Sequence, residues 1–268
     1  MEQRKINVRK DEFTLGPWKL ISTEGSILKS ACSQPDICQN QSKKCELCTI
    51  LSAIDIPLPE MLFANNSLRL EHRNGFGIEF NPTDALKLVN NQKEHIKVAY
   101  AEEWQKNRVS SEDPVNETVK RFDWTYSSKY KGTLFGDGIK ASSTTQRIDI
   151  EKLKAKEKIY HYKSIMLFED ELADNGCAWM NAKVRVMPGY VFFLLRFFLR
   201  VDNVLARVYD TRLYHQAETN YMLREFLAKE CNLQQVKVPS HVLSDPAEID
   251  KFLTVTEEQL EVVSLPIL

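Results

Sequence analysis

Between Tyr190 and Val201 the chain reads YVFFLLRFFLRV, interrupted only by Arg196 and Arg200. Taken at period two, Val191, Phe193, Leu195, Phe197, Leu199 and Val201 make an unbroken apolar face, and Phe192, Leu194, Arg196, Phe198 and Arg200 make a mixed one. A helix would also stack Arg196 and Arg200 on one stripe, but the Phe and Val enrichment favours a strand. Asp202-Asn203 follows, and both residue types tolerate the positive φ of a two-residue hairpin turn. A second strand is then expected over Val204–Tyr214, with Val201 opposite Val204, Arg200 opposite Leu205, Phe198 opposite Arg207 and Arg196 opposite Tyr209. In that register Phe193, Phe197 and Leu199 belong to the core. The mixed face, too apolar for open solvent and too charged for a dry core, becomes the floor or rim of a groove lined by Arg196 and Arg200, with Tyr209 beside Arg196. A one-residue error in the turn would exchange the faces of the second strand.

The remaining pattern is mostly strand-like. Phe13–Thr23 reads as a first strand kinked at Gly16-Pro17, after a charged, frayed segment 1–12. "LRLEHRNGFGIEFNP" reads as two short strands around Asn74-Gly75. Asn81-Pro82-Thr83-Asp84 starts a helix: Asn81 caps, Pro82 fits the first position and Asp84 complements the dipole. A helix at "VAYAEEWQKN", a linker at 108–121 and a Trp/Tyr-rich hairpin at "FDWTYSSKYKGTLFGDG" follow, then a charged helix over Glu151–Ile159. Strands at about 160–169 and 178–188 flank "ADNGC", and Asp245-Pro246 opens a last short helix. Strands outnumber helices without βαβ alternation, so the class is α+β with antiparallel sheet.

A membrane span needs about 20 apolar residues, whereas the uninterrupted run Tyr190–Leu195 has six. The start "MEQRKINVRKDEF" lacks an apolar h-region, so a soluble, cytoplasmic chain is expected, without a signal peptide. Net charge is −1, from 36 basic against 37 acidic residues, which argues against bulk binding to nucleic acid. Apolar content of 43% supplies a sizeable core.

Nucleotide-cradling loops, a nucleophile elbow and HExxH are missing from the sequence. Cys32, Cys38, Cys45 and Cys48 crowd a segment, 30–51, that reads as a solvated loop insertion in a single domain spanning 1–268. Cys45-x-x-Cys48 has half of a zinc-knuckle spacing, but Cys32 and Cys38 are spaced too widely for the other half. The expectation is therefore no bound metal or other cofactor, with a zinc-dependent adaptor as an alternative. Glu169 and Asp170 in "FEDEL" could bind a divalent cation, and a metal-assisted hydrolase is a second alternative; a solvated strand end is the plainer reading. Asp210 and Arg212 in "YDTRLYH" share one strand face. They either close a sheet edge as an ion pair or stand ready for a partner's charged group, since arginine grips carboxylates bidentately. Exposed aromatics and arginines without a nucleophile–base motif favour a binding protein over an enzyme.

"GPWKL", "LPEMLFANNSLRLEH", "GFGIEFNPTDAL", "AEEW", "DWTYSSKYKGTL", "EKLKAKEKI", "LFEDELADNG", "KVRVMP", "FFLLRFFLRVD", "DTRLYH" and "YMLREF" occur in order across most of Phe13–Phe226. Together they resemble the TIPRL family of TOR-signalling-pathway regulator-like proteins. The resemblance implies an antiparallel, two-layered sheet core with peripheral helices. It implies a non-enzymatic regulator binding the catalytic subunits of type 2A protein phosphatases and their type 4 and 6 relatives, through a cleft for the phosphatase's C-terminal tail. That tail is short, aromatic and carboxylate-ended, which suits an arginine–aromatic face. By motif match Asp84, Ile148 and Asp210 fall at or near the partner surface, joined by Arg196, Arg200, Tyr209, Arg212 and Tyr214 from the hairpin. The cysteine segment is longer than the family pattern.

Overall fold

A computed structural model describes residues 8–32, 35, 38, 44–54, 56–89, 125–154, 156–236, 238–239 and 241–266. The expected helix at "VAYAEEWQKN" and the linker 108–121 lie outside these residues.

The chain opens with a hairpin, not a single kinked strand. β1 (Arg9–Leu15) pairs with β2 (Trp18–Glu24) from Arg9 opposite Glu24 to Leu15 opposite Trp18. Gly16 turns the chain at φ +57°, a conformation that costs glycine little. Arg9–Glu12, expected to fray, are thus held in the sheet. Helix α1 (Glu46–Ala53) follows and buries Leu47 and Ile50, so the second half of the segment 30–51 is not a solvated loop. β3 (Met61–Leu62), β4 (Ser67–His72) and β5 (Gly77–Phe80) come next. Helix α2 (Pro82–Lys87) starts as its sequence dictates, with Asn81 Oδ1 accepting the Asp84 N–H at 2.8 Å.

The Trp/Tyr-rich stretch does not form a hairpin within its described part, 125–138: its strand residues Thr133–Phe135 pair with Gly77–Glu79, and Ser128 bridges Val89. β6 (Thr133–Phe135) and β7 (Lys140–Ser143) join different sheets instead of pairing. The charged helix shortens to α3 (Ile150–Lys154). β8 (His161–Asp170), β9 (Gly176–Met187), β10 (Tyr190–Val201), β11 (Leu205–Gln216), β12 (Tyr221–Asn232), α4 (Pro246–Ile249) and β13 (Thr254–Ser264) complete the order. β12 and β13 carry charges in both alternating sets, which hides their strand character. In place, Arg224 Nε donates to Glu261 Oε2 at 2.8 Å across the β12–β13 pair.

Two antiparallel sheets result: a small one ordered β1-β2-β4-β5-β6 and a large one ordered β3-β8-β9-β10-β11-β12-β13-β7. They pack face to face around one apolar cluster. Leu20, Leu68, Leu70, Ile78 and Phe80 come from the small sheet, and Ile165, Phe193, Phe197, Leu199, Leu213 and Phe226 from the large one. Phe80 and Phe193 meet across it with ring centroids 5.6 Å apart. The apolar face of β10 is therefore core, as its alternation requires. The fold is α+β with an antiparallel, two-layered sheet core and few helices.

Candidate functional site

The hairpin at the centre of the large sheet turns on three residues, Asp202–Val204, because β10 ends at Val201 and β11 begins at Leu205. Asn203 takes φ +59°, and the Val204 N–H closes the turn on the Val201 carbonyl at 3.0 Å. Positive φ at the third residue of the hydrogen-bonded turn, and not at the second, is the type II pattern, which favours Gly or Asn there. The extra residue slips the register by one, so Val201 faces Leu205, Phe197 faces Tyr209 and Arg196 faces Asp210. Tyr209 is consequently not beside Arg196. It packs on the core side against Phe197 and Phe226, and Arg207 lies over its ring at 5.5 Å.

The outer face of β10 and β11 now carries Tyr190, Phe192, Leu194, Arg196, Phe198 and Arg200 opposite Gln216, Tyr214, Arg212, Asp210, Val208 and Ala206. Its two ends are covered. At one, Ile148 and Leu153 pack on Met187, Tyr190, Phe192, Tyr214 and Leu223. The Ile148 N–H donates to Glu225 Oε1 at 2.7 Å, which ties this cover to β12. At the other, Val242 and Ile249 pack on Phe198, Ala206, Val208 and Cys231.

Asp210 and Arg212 fall between the covers. Arg196 Nε and Nη2 donate to the two carboxylate oxygens of Asp210, both at 2.7 Å, a bidentate geometry that fixes the guanidinium plane. This pairing raises the Arg196 pKa against the opposing effect of burial. Asp210 is 4% exposed, so it is a mid-strand buried carboxylate rather than a strand-end surface group. Arg212 Nη2 stands 3.9 Å from the same carboxylate, too far for a hydrogen bond, and its side chain keeps 31% exposure. Half-buried Leu194 and Leu227 and exposed Lys183 border the pair. The arrangement is a charged patch with apolar neighbours. It can accept a carboxylate or other oxyanion on Arg212 while Asp210 holds Arg196 in place.

The other expected site residues distribute as follows. Ile148 and Tyr214 sit together in the first cover, both buried. Arg200 is on the outer face but at its far end, with Nε 2.7 Å from Asp202 Oδ1 and Nη1 donating to Ser244 Oγ at 3.1 Å. It does not line the gap beside Asp210. Asp84 lies on the opposite side of the large sheet. Its Oδ2 accepts from Asn81 Nδ2 at 3.0 Å and Thr133 Oγ1 at 2.7 Å. Burial raises its pKa, and these donors with Lys87 outweigh it and lower the value overall. Asp84 borders a concavity of about 380 Å³ together with Lys129, Lys131 and Arg224. On β12, Arg224 faces that concavity while its neighbour Glu225 faces Ile148, so the two places are back to back. Asn181 opposite Arg196 and Glu225 opposite Arg212 were missed from the sequence, because only the strand register makes them neighbours.

The acidic pair Glu169–Asp170 is not a ligand cluster. Asp170 accepts the Leu172 N–H at 2.7 Å and the Glu60 N–H at 3.0 Å, closing the β8–β9 turn. Among the described residues, the one group of three or more side chains placed to share a metal ion is Cys32, Cys38, Cys45 and Cys48, remote in sequence from the outer-face pair.

The TIP41-like family matches residues 61–237. A human TIP41-like protein is 44% identical over 259 residues, covering 95% of this chain and 90% of the relative. The Saccharomyces cerevisiae protein named type 2A phosphatase activator TIP41 is 38% identical over 248 residues, covering 87% and 66%. The similarly named Schizosaccharomyces pombe protein is 32% identical over 246 residues, covering 91% and 89%. The matched region holds β8 to β12 and the Ile148 cover of their outer face, and the chain belongs to the TIP41-like family.

Proposed function

We propose that this chain is a non-enzymatic regulator that binds the catalytic subunit of type 2A protein phosphatase, and of its type 4 and 6 relatives, in the cytoplasm and within TOR signalling. In this reading a short, aromatic, carboxylate-ended tail of the partner enters the gap on the outer face of the large sheet. Support for the partner comes from the two fungal relatives, whose names describe activators of type 2A phosphatase. The observation that carries the site is the Arg196–Asp210 bidentate pair with Arg212 beside it, left between two apolar covers.

The chemistry follows from the geometry. Asp210 neutralises and orients Arg196, so the gap does not hold two loose guanidinium groups repelling each other. Arg212 then offers a planar fork to a terminal carboxylate. Leu194 and Leu227 offer apolar contact to aromatic side chains next to it. Asp84, on the other side of β12, meets a separate part of the phosphatase, so the partner reaches around the β12–β13 side of the sandwich.

The reading is tested by titrating this chain with a purified type 2A catalytic subunit, intact and lacking its C-terminal tail, while following phosphatase turnover. The intact subunit should bind and its turnover should change. Loss of the tail should weaken binding by about tenfold or more, which corresponds to about 1.4 kcal/mol. Equal affinity for both forms would reject the tail site, and no binding by either would reject the phosphatase reading.

A further inference from the structure

Cys32, Cys38, Cys45 and Cys48 lie between β2 and β3. Their spacing, with five, six and two residues between successive cysteines, is not that of a zinc knuckle. The fold nevertheless brings all four sulfurs within 4.8 Å of one another. Cys32 Sγ is 3.5 Å from Cys38 Sγ and 3.6 Å from Cys45 Sγ. Four thiolates held tetrahedrally at about 2.3 Å from a zinc ion stand about 3.8 Å apart. A disulfide requires about 2.05 Å, and all four residues are free thiols. The observed spacing is that of a ligand shell.

Local structure explains how the sulfurs converge. Cys45 is the N-cap of α1 and Cys48 sits in its first turn, so the x-x spacing places both sulfurs at the start of the helix. The Cys45 N–H donates to Cys38 Sγ at 3.3 Å, which draws the Cys38 sulfur to the same place. Backbone N–H groups at a helix start stabilise thiolates. Crowded thiols resist joint ionisation unless a dication sits among them.

We propose that Cys32, Cys38, Cys45 and Cys48 form a structural tetrathiolate site for one zinc ion. A soft four-sulfur set selects zinc or iron, and four protein ligands leave no position for a catalytic water. On binding, each thiol gives its proton to solvent, so uptake is pH-dependent. The ion fastens the start of α1. The rest of that helix and the turn after it place Ile50, Ile54 and Ile56 in the core between the sheets, and Asn65 Nδ2 donates to Glu46 Oε1. The site therefore ties an otherwise polar segment to the sandwich, independently of any phosphatase contact.

The test is made on the full chain, purified without chelator. Metal analysis should find one zinc per chain, and X-ray absorption should show sulfur neighbours alone at about 2.3 Å. Replacing zinc by Co²⁺ should give the intense thiolate charge-transfer and visible bands of a tetrahedral four-sulfur site. The double variant Cys45→Ser, Cys48→Ser should lose those bands and melt at a lower temperature. The wild-type spectra count the sulfur ligands even if that variant fails to fold. Zinc held by nitrogen or oxygen donors, a chain that takes up neither Zn²⁺ nor Co²⁺, or freshly prepared protein whose four cysteines are in disulfides would each overturn the proposal.

Discussion

Phe197 and Arg196 are neighbours in the chain and opposites in physical role. Phe197 is 1% exposed, with its ring against Phe168 and Tyr209 at centroid distances of 6.5 and 5.6 Å. Phe197→Ala should cost about 3–5 kcal/mol, as truncation of a buried aromatic does, read as a lower denaturant midpoint at unchanged slope. A loss below about 1 kcal/mol would mean that the ring is not in the core. Arg196 points the other way, onto Asp210. A carboxylate at position 196 would face that buried carboxylate, so Arg196→Glu is expected to destabilise the fold and cannot report cleanly on binding. Arg212, which is more exposed and only 3.9 Å from Asp210 at its nearest, is the residue to reverse. The alternation of β10 was readable residue by residue, since its odd positions are all apolar. The place of Tyr209 was not, because a partner strand inherits its faces from the turn.

The turn between β10 and β11 decides which side chains meet. Asp202-Asn203 permits either a two- or a three-residue loop, as both residues accept αL, and nothing local to the sequence chooses. In the fold only Asn203 takes positive φ there. Asn203→Val should therefore cost about 1–2 kcal/mol, the penalty of a left-handed conformation for a residue with a full Cβ, while Asn203→Gly should be close to neutral. Thermal or denaturant melts of the two variants check this, and equal stability of Val and Gly at this position would contradict the assigned turn. α2 was readable for the converse reason, since Asn81, Pro82 and Asp84 each have a helix-start role that needs no tertiary partner. α1 was obscured by the polar run before it, and β12 and β13 by charges that become acceptable only once Arg224 and Lys131 reach Glu261, the latter pair at 2.8 Å.

At the scale of the molecule, one face of the large sheet is spent on the core and the other, among the described residues, is covered at both ends and open in the middle. The arginines of β10 suggested a groove in the sequence, and Arg196 lies on the outer face, paired with Asp210. Arg200 does not lie beside them, because Asp202 and Ser244 hold it at the far end. Asp84 could not be placed from sequence at all, since only the topology shows it behind β12. The central claim is that the gap between the covers receives a carboxylate-ended segment on Arg212. The most direct test is titration of a synthetic peptide matching the tail of the type 2A catalytic subunit against the wild-type chain and Arg212→Glu, at low and at physiological salt. Arg212→Glu should melt below the wild type but stay folded, since the new carboxylate faces Glu225 and Asp210, and bind at least about tenfold more weakly, or about 1.4 kcal/mol. The difference should widen at low salt, where exposed charges are least screened. Wild-type affinity in a folded Arg212→Glu chain, at both salt concentrations, would contradict the account.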